Sequence, residues 1–190
     1  MQFEDIKTDR LLIREYSDHY LEQLFEYRSD PRVYIWYTKK QESVEDLKEY
    51  LKSNITEFNK DNGYSVFVIL LGDKVIGDIA ISYWDYNNER SAIGYAIRPE
   101  YQRLGYGYEA VNAVLGFMFD VMKRNRIQAG VDYNNKASIG LLKKLGFKRE
   151  GYFRQTEYKK GEWKDSCLYA ILREDWVKNK SLIIHKGKIG

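Results

Sequence analysis

Apolar positions along this chain change their period several times, and each change predicts an element. Leu11, Leu12 and Ile13 follow the polar Thr8-Asp9-Arg10 and predict a short strand. From about Asp18, Leu21, Leu24 and Phe25 share one helical face, and Asp30-Pro31 is expected to stop that helix. Ser43 with Asp46 three residues later forms a capping-box pattern. Behind it Val44, Leu47, Leu51, Ile55 and Phe58 repeat at the helical period, and Asn62-Gly63 marks a turn.

Three strands are expected next. Residues Tyr64 to Leu71 are almost wholly apolar, Gly72-Asp73 turns the chain into Lys74 to Tyr86, and Asn87-Asn88 turns it into Glu89 to Arg98, which Pro99 ends. Turns this short join antiparallel neighbours. A glycine-rich stretch then opens a long helix with Ala110, Val111, Val114, Leu115, Met118, Val121 and Met122 on one face. Ile127, Ala129 and Val131 alternate as a strand. A helix from Lys136 to Leu145 ends at Gly146, a natural left-handed cap. Phe147 to Tyr158 and Trp163 to Leu172 close the series as strands around Lys159-Lys160-Gly161-Glu162. The order β-α-α-β-β-β-α-β-α-β-β is mixed α/β: an antiparallel meander, then strand–helix–strand crossovers. Order alone names no activity.

Composition narrows the partners. With 190 residues, 44% hydrophobic and 15% aromatic, the chain can bury one sizeable core. Two prolines, no linker-like stretch and no repeat favour a single domain, residues 1–176, with 177–190 as a tail. The basic run Lys178 to Lys188 reads as a frayed, solvated end. A net charge of +3 with both signs interspersed gives no clustered basic face, so direct contact with nucleic acid is not expected. One cysteine excludes an intramolecular disulfide, and with two histidines it leaves little material for a metal site. No apolar run is long enough to span a membrane, and Met1 to Asp5 lack the parts of a signal peptide. A cytoplasmic protein without a membrane partner is expected. It is read as monomer or homodimer, with Ser181-Leu182-Ile183-Ile184 apolar enough to pair with another chain.

The strongest local signal is Gln102-Arg103-Leu104-Gly105-Tyr106-Gly107-Tyr108, between a strand and a helix. Glycine lets a ligand approach the backbone, and the first turn of a helix offers unpaired N–H groups and a positive dipole end to a pyrophosphate. A dinucleotide fold would want a third glycine, and a Walker loop would end in Gly-Lys-Ser/Thr; neither is present. A plain helix start remains the competing reading.

Gln102-x-x-Gly105-x-Gly107 resembles the coenzyme A loop of the GNAT (Gcn5-related N-acetyltransferase) superfamily. Asn135-Lys136-Ala137-Ser138 with Leu145-Gly146-Phe147 is similar to its second signature. Thr8-x-Arg10-Leu11-x-Ile13-Arg14 and Gly161-x-Trp163-x-Asp165 with Tyr169 resemble the RimJ/RimL branch, which acetylates N-termini of ribosomal proteins. The resemblance covers roughly residues 8–176. It implies a GNAT-like fold: a mixed, mostly antiparallel sheet of about seven strands with four helices, splayed between the fourth and fifth strands.

The same resemblance implies the substrates and the site. The donor would be acetyl-coenzyme A, with no metal. The acceptor would be a primary amine on a protein N-terminus or a small molecule. The backbone of Tyr95, Ala96 and Ile97 would pair with the pantetheine arm, and N–H groups of Arg103, Leu104, Gly105, Tyr106, Gly107 and Tyr108 would hold the pyrophosphate. Asn135 and Ser138 would meet the pantetheine end. Leu104 stands where a basic or small residue is common, and Tyr108 where threonine is common, so Arg103 is the expected source of side-chain charge.

Amine acetylation needs a base for the ammonium proton, a donor for the carbonyl oxygen, and a partner for the leaving thiolate. Glu157 is the candidate base, at the position where RimL-like relatives carry a catalytic glutamate; a solvent-facing strand-end glutamate is the alternative. Ser138 is the candidate thiolate partner; a helix cap is the alternative. The Ile97 N–H is the candidate oxyanion donor. Tyr34, Trp36, Tyr37 and Trp84 are candidate acceptor-pocket residues, within or beside the variable stretch Tyr34 to Gln41, and the alternative for each is core packing. Cys167, among Leu168 and Ala170, reads as a buried inert thiol rather than an acyl carrier. His19 and His185 receive no role. A catalytically silent coenzyme A sensor or scaffold, and another kind of nucleotide-binding domain, are the rival functions.

Overall fold

The third strand, β3 (Gly63–Leu71), organises the interior. Its Val66, Val68 and Leu70 enter one apolar cluster, while Phe67 and Ile69 enter another. A strand covered on both faces needs no polar alternation, which is why this segment reads as an unbroken apolar run. The computed structural model of the chain describes residues 2–37, 40–85 and 89–186, with backbone alone at 85 and 181–186. The expected turn at Asn87-Asn88 and the side chains of Ser181 to Ile184 and of His185 lie outside the described residues, as do Thr38 and Lys39 of the variable stretch.

Two short strands come first, β1 (Ile6–Lys7) and β2 (Leu12–Glu15). A 3-10 turn at Asp18–Tyr20 leads into α1 (Leu21–Arg28), then α2 (Pro31–Tyr34) and α3 (Val44–Asn54). β3 is followed by β4 (Lys74–Asp85), β5 (Arg90–Ile97) and α4 (Tyr106–Gly116). The second half holds β6 (Arg126–Asp132), α5 (Lys136–Lys144), β7 (Lys148–Lys159), β8 (Glu162–Leu172) and α6 (Arg173–Lys186). One sheet of eight strands runs in the order β1-β2-β3-β4-β5-β6-β8-β7. Helices α1 and α3 cover one face, with Leu21, Leu24, Leu47 and Leu51 buried there. α4 and α5 cover the other through Val111, Val114, Leu115 and Leu142, joined by Trp176 of α6.

The expected α/β class and meander stand, with eight strands and six helices among the described residues in place of about seven and four. β1 is only two residues long, too short for any period to show. α1 stops just before Asp30-Pro31, as expected, but a second short helix starts there: the Asp30 carboxylate accepts the Arg32 N–H and Pro31 occupies the first helical position, where its missing N–H costs nothing. α6 takes up most of the stretch expected to be a solvated tail and runs across the expected boundary at 176. The long helix is also interrupted. A π turn at Phe117–Val121 shifts its phase, so Val121, expected on the buried face, is 51% exposed.

Local signals elsewhere act as anticipated. Ser43 Oγ accepts the Asp46 N–H at 3.1 Å, and the Asp46 carboxylate accepts from Glu42 N, one residue before the cap. Gly146 has φ 90, the left-handed conformation that ends α5. The β7–β8 hairpin turns on Lys160 (φ 52) and Gly161 (φ 82), the pair of positive φ values that suits a two-residue turn between twisted strands.

β5 and β6 are parallel and share only three residue pairs, Arg90–Arg126, Ser91–Ile127 and Ala92–Gln128. β5 nevertheless runs on to Ile97 and β6 to Asp132. Beyond Ala92 the two strands part. This is the splay expected between the fourth and fifth strands, renumbered by the addition of β1.

Candidate active site

The parted strands leave one edge of β5 open. Arg98 N–H donates to Ile76 of β4 at 2.8 Å. Backbone groups alternate sides along a strand, so Ala96 also turns towards β4, and Tyr95 and Ile97 present theirs to the gap. The Ile97 carbonyl already accepts from the Gln102 side-chain amide at 2.8 Å, which leaves its N–H. Of the three backbone positions expected to pair with a ligand, Tyr95 and Ile97 therefore face the opening and Ala96 does not.

Just past β5, the loop enters α4 in two left-handed steps, Arg103 with φ 60 and Gly105 with φ 87. Gly105 is the N-cap and offers no side chain, so the N–H groups of Tyr106, Gly107 and Tyr108 in the first turn have no intrahelical acceptor. Gly107 packs closely: a β-carbon there would stand 3.3 Å from Ile97 Cγ1. Leu104 is exposed, and the Tyr108 ring lies under the Lys144 ammonium at 4.6 Å. Beside this turn a cavity of about 440 Å3 is lined by residues including Arg10, Gly105, Tyr108, Asn112 and Lys144. An open strand edge that leads to unpaired N–H groups at a helix start fits an extended, pyrophosphate-containing substrate.

The amino-terminal segment holds the loop in place. Thr8 Oγ1 donates to the Glu109 carboxylate at 2.6 Å, and the Arg10 guanidinium pairs with the same carboxylate at 2.6 Å. Arg10 also donates to the Leu104 carbonyl at 3.2 Å and lies 4.3 Å over the Tyr106 ring. Burial alone would raise the Glu109 carboxyl, but these bonds outweigh it and hold the group below its usual range. Thr8-x-Arg10 is thus a clamp on the first turn of α4, a role its sequence did not disclose.

Across the gap, α5 begins at a cap made by Asn135, whose Oδ1 accepts the Ser138 N–H at 3.1 Å. Asn135 does the capping that Ser138 could have done, and the serine hydroxyl is left for another use. It lies 3.0 Å from the Tyr95 hydroxyl, so the two sides of the gap touch here.

Glu157 sits elsewhere. It lies on β7, separated from β6 by β8, on the hairpin segment that runs past the end of β6. It is ion-paired with Lys159, whose buried ammonium also donates to the Trp36 carbonyl at 3.4 Å. No hydrogen bond joins Glu157 to Ser138 among the described residues. A bulge shifts the β7–β8 register between Phe153 and Glu157. Asp165 secures it by accepting the Gln155 N–H at 2.9 Å and the Tyr152 hydroxyl proton.

α2 bridges the mouth of the gap. Arg32 reaches Glu100, just beyond β5, at 3.1 Å, and the Tyr34 ring meets Lys160 of the hairpin tip at 4.0 Å. Tyr34 and Trp36 therefore stand at the mouth. Tyr37 packs inward, beneath Arg28. Trp84 lies at the opposite end of β4 from Gly77, the partner of Ile97, and is not part of this group. Cys167 is a free, buried thiol. Among the described residues, no His/Cys/Asp/Glu group could hold a metal ion and no helix is long and apolar enough to cross a membrane.

Residues 10–148 match the family model of the acetyltransferase (GNAT) domain. The chain belongs to the GNAT family of N-acetyltransferases, enzymes whose acyl donor is acetyl-coenzyme A, and it is similar to members of the RimJ/RimL-like branch. It is 35% identical to a Bacillus subtilis protein named as an uncharacterized N-acetyltransferase, YnaD, over 90% of this chain and 98% of that one. It is 29% identical to the [ribosomal protein uS5]-alanine N-acetyltransferase of Escherichia coli, over 90% and 92%. The fold also matches that of spermidine N-acetyltransferase from Vibrio cholerae, solved with CoA and spermine, at a TM-score of 0.79 and 20% identity over 90% and 99%.

Proposed function

We propose that the chain moves the acetyl group of acetyl-coenzyme A directly to a primary amine within a ternary complex, and that the amine is a protein or peptide N-terminus. The observation that carries this reading is the open edge at Tyr95 and Ile97 facing Ser138 across the parted strands. The pantetheine arm completes that edge as an added strand, and the pyrophosphate takes the N–H groups of the α4 start. The amine nitrogen attacks the thioester carbon, and the C–S bond breaks with its electron pair passing to sulfur. The Ile97 N–H stabilises the carbonyl oxygen as charge develops on it. Ser138 hydrogen-bonds the departing thiolate. Glu157 takes the ammonium proton, directly or through a water, once the acceptor has drawn it from Lys159.

Kinship favours a peptide over a polyamine. The chain is 29% identical to the [ribosomal protein uS5]-alanine N-acetyltransferase of Escherichia coli and 20% identical to the spermidine enzyme of Vibrio cholerae. At the mouth the hairpin acids Glu157 and Glu162 are paired with Lys159 and Lys164, while the single Arg32 serves both Asp30 and Glu100. The test measures free thiol released from acetyl-coenzyme A with a short peptide bearing N-terminal alanine, and separately with spermidine. Turnover with the peptide, cut roughly a hundredfold by Glu157→Gln while coenzyme A affinity holds, and also lowered by Ser138→Ala, is expected. Turnover with spermidine alone would overturn the acceptor. Silence with every amine despite tight coenzyme A binding would favour a sensor module.

A further inference from the structure

Ser138 reaches its proposed partner only if its proton points into the gap. A serine hydroxyl in the first turn of a helix has competing uses, chiefly its own cap and the carbonyl of an earlier residue. Here the cap is supplied by Asn135. Among the described residues, the side chain that hydrogen-bonds Ser138 Oγ is Tyr95, at 3.0 Å, and the same phenol stands 3.4 Å from the Ser138 carbonyl.

We propose that Tyr95 is a positioning residue for acyl transfer: its hydroxyl donates to Ser138 Oγ, fixing the serine rotor so that its proton is directed at the sulfur of coenzyme A. The inference rests on the reading of Ser138 as the thiolate partner. Direction follows from the chemistry of the pair. A phenol is the stronger donor and an alkyl hydroxyl the better acceptor, so the Tyr95 proton faces Ser138 Oγ and leaves the serine proton unclaimed. Burial raises the Tyr95 phenol to about 12, so it stays protonated wherever a thiolate is the leaving group. No proton need cross the pair. The phenol holds, the serine donates, and the sulfur carries the charge. Tyr95 thereby serves twice, its backbone facing the pantetheine arm and its side chain crossing the gap to α5.

Coenzyme A and desulfo-coenzyme A differ at the atom in question, and comparing them needs no acceptor. Their affinities are measured by calorimetry over a series of alkaline pH values that takes the coenzyme A thiol to its thiolate, for the wild type, Tyr95→Phe, Ser138→Ala and the double variant. The wild type is expected to prefer coenzyme A by about three- to tenfold, the worth of one hydrogen bond to a charged atom in a partly wet site. Ser138→Ala should abolish the preference, Tyr95→Phe should more than halve it, and the double variant should match Ser138→Ala. Affinity for desulfo-coenzyme A should stay level across all four. A preference that survives Ser138→Ala overturns the role of the serine itself. A preference lost with Ser138→Ala but kept or increased with Tyr95→Phe overturns the role of the tyrosine alone. Equal weakening of both ligands by Tyr95→Phe would show that the phenol only packs, and would likewise overturn it.

Discussion

Arg28 of α1 and Asp78 of β4 meet at 2.5 Å inside the fold, with 4% and 3% of their side chains exposed. Tyr27 donates to the same carboxylate. Taking two charges out of water is costly, and the pair holds because each neutralises the other. Asp78→Ala leaves Arg28 buried without a counter-charge and should cost about 3–5 kcal/mol, read from the midpoint of urea unfolding. Replacing both partners, with Arg28→Met and Asp78→Leu, should recover most of that loss.

Glu109→Ala should release the clamp on the loop. Three donors, Thr8 Oγ1, the Arg10 N–H and the Arg10 guanidinium, lose their acceptor together. A loss of about 1–2 kcal/mol is expected, accompanied by weaker acetyl-coenzyme A binding because Arg10 also fixes Leu104 and Tyr106. The pH dependence carries a sign. The folded-state carboxyl titrates below its usual range, so its contribution is fully present above the unfolded value of about 4.3 and fades as pH falls through the lower, folded value. Below pH 4 the variant should therefore lose less stability than the wild type, measured by denaturant titration at a series of pH values.

Gly105→Ala forces a β-carbon onto a residue with φ 87. The expected penalty is about 1–2 kcal/mol. Gly107→Ala acts differently, through space rather than torsion, by pushing the α4 start away from Ile97. It should weaken coenzyme A binding by about tenfold or more, since small displacements of positioned donors are costly. Calorimetry on the two variants separates the effects.

Alkaline pH should unfold the protein through its buried phenols. Burial raises both Tyr83 and Tyr95 to about 12. Between about 10, the unfolded value, and 12 the unfolded chain binds fewer protons, so stability falls as pH rises. Absorbance at about 295 nm should show a late tyrosine step in the native protein, smaller by one residue in Tyr95→Phe.

Asp165→Ala should remove the support of the β7 bulge two residues before Glu157. With the reading of Glu157 as base, turnover drops and coenzyme A affinity does not. Unchanged turnover would detach the bulge from catalysis.

Much of the frame was legible because it depends on neighbours in sequence. Ser43, Gly146 and the Lys160-Gly161 turn act within a few residues, and the two-sided burial of β3 is written in its composition. What escaped depends on pairs far apart or on elements too short to show a period. β1 has two residues, and α2 hides behind a proline that usually ends a helix. The Tyr95–Ser138 contact joins positions 43 apart, and Arg28–Asp78 joins positions 50 apart. Asp78 did leave a trace: a lone acid between Gly77 and Ile79 in an apolar strand demands a buried cation. The loop motif located the α4 start correctly, but Thr8-x-Arg10 and Gly161-x-Trp163-x-Asp165 were legible only as marks of kinship. Their work, a clamp and a bulge, appears once the chain is folded.

Three residue pairs are all that stitch β5 to β6, while β4 and β5 share eight and β6 and β8 share seven. The sheet is therefore two antiparallel blocks, β1 to β5 and β6 to β8, meeting at a narrow seam. Each block has dense internal hydrogen bonding and the seam has little, the pattern of two cooperative units within one domain. Amide exchange should report them as separate plateaus of protection, with Ser91 among the first strand amides to open, and the acyl donor, lying across the seam, should merge the two into one.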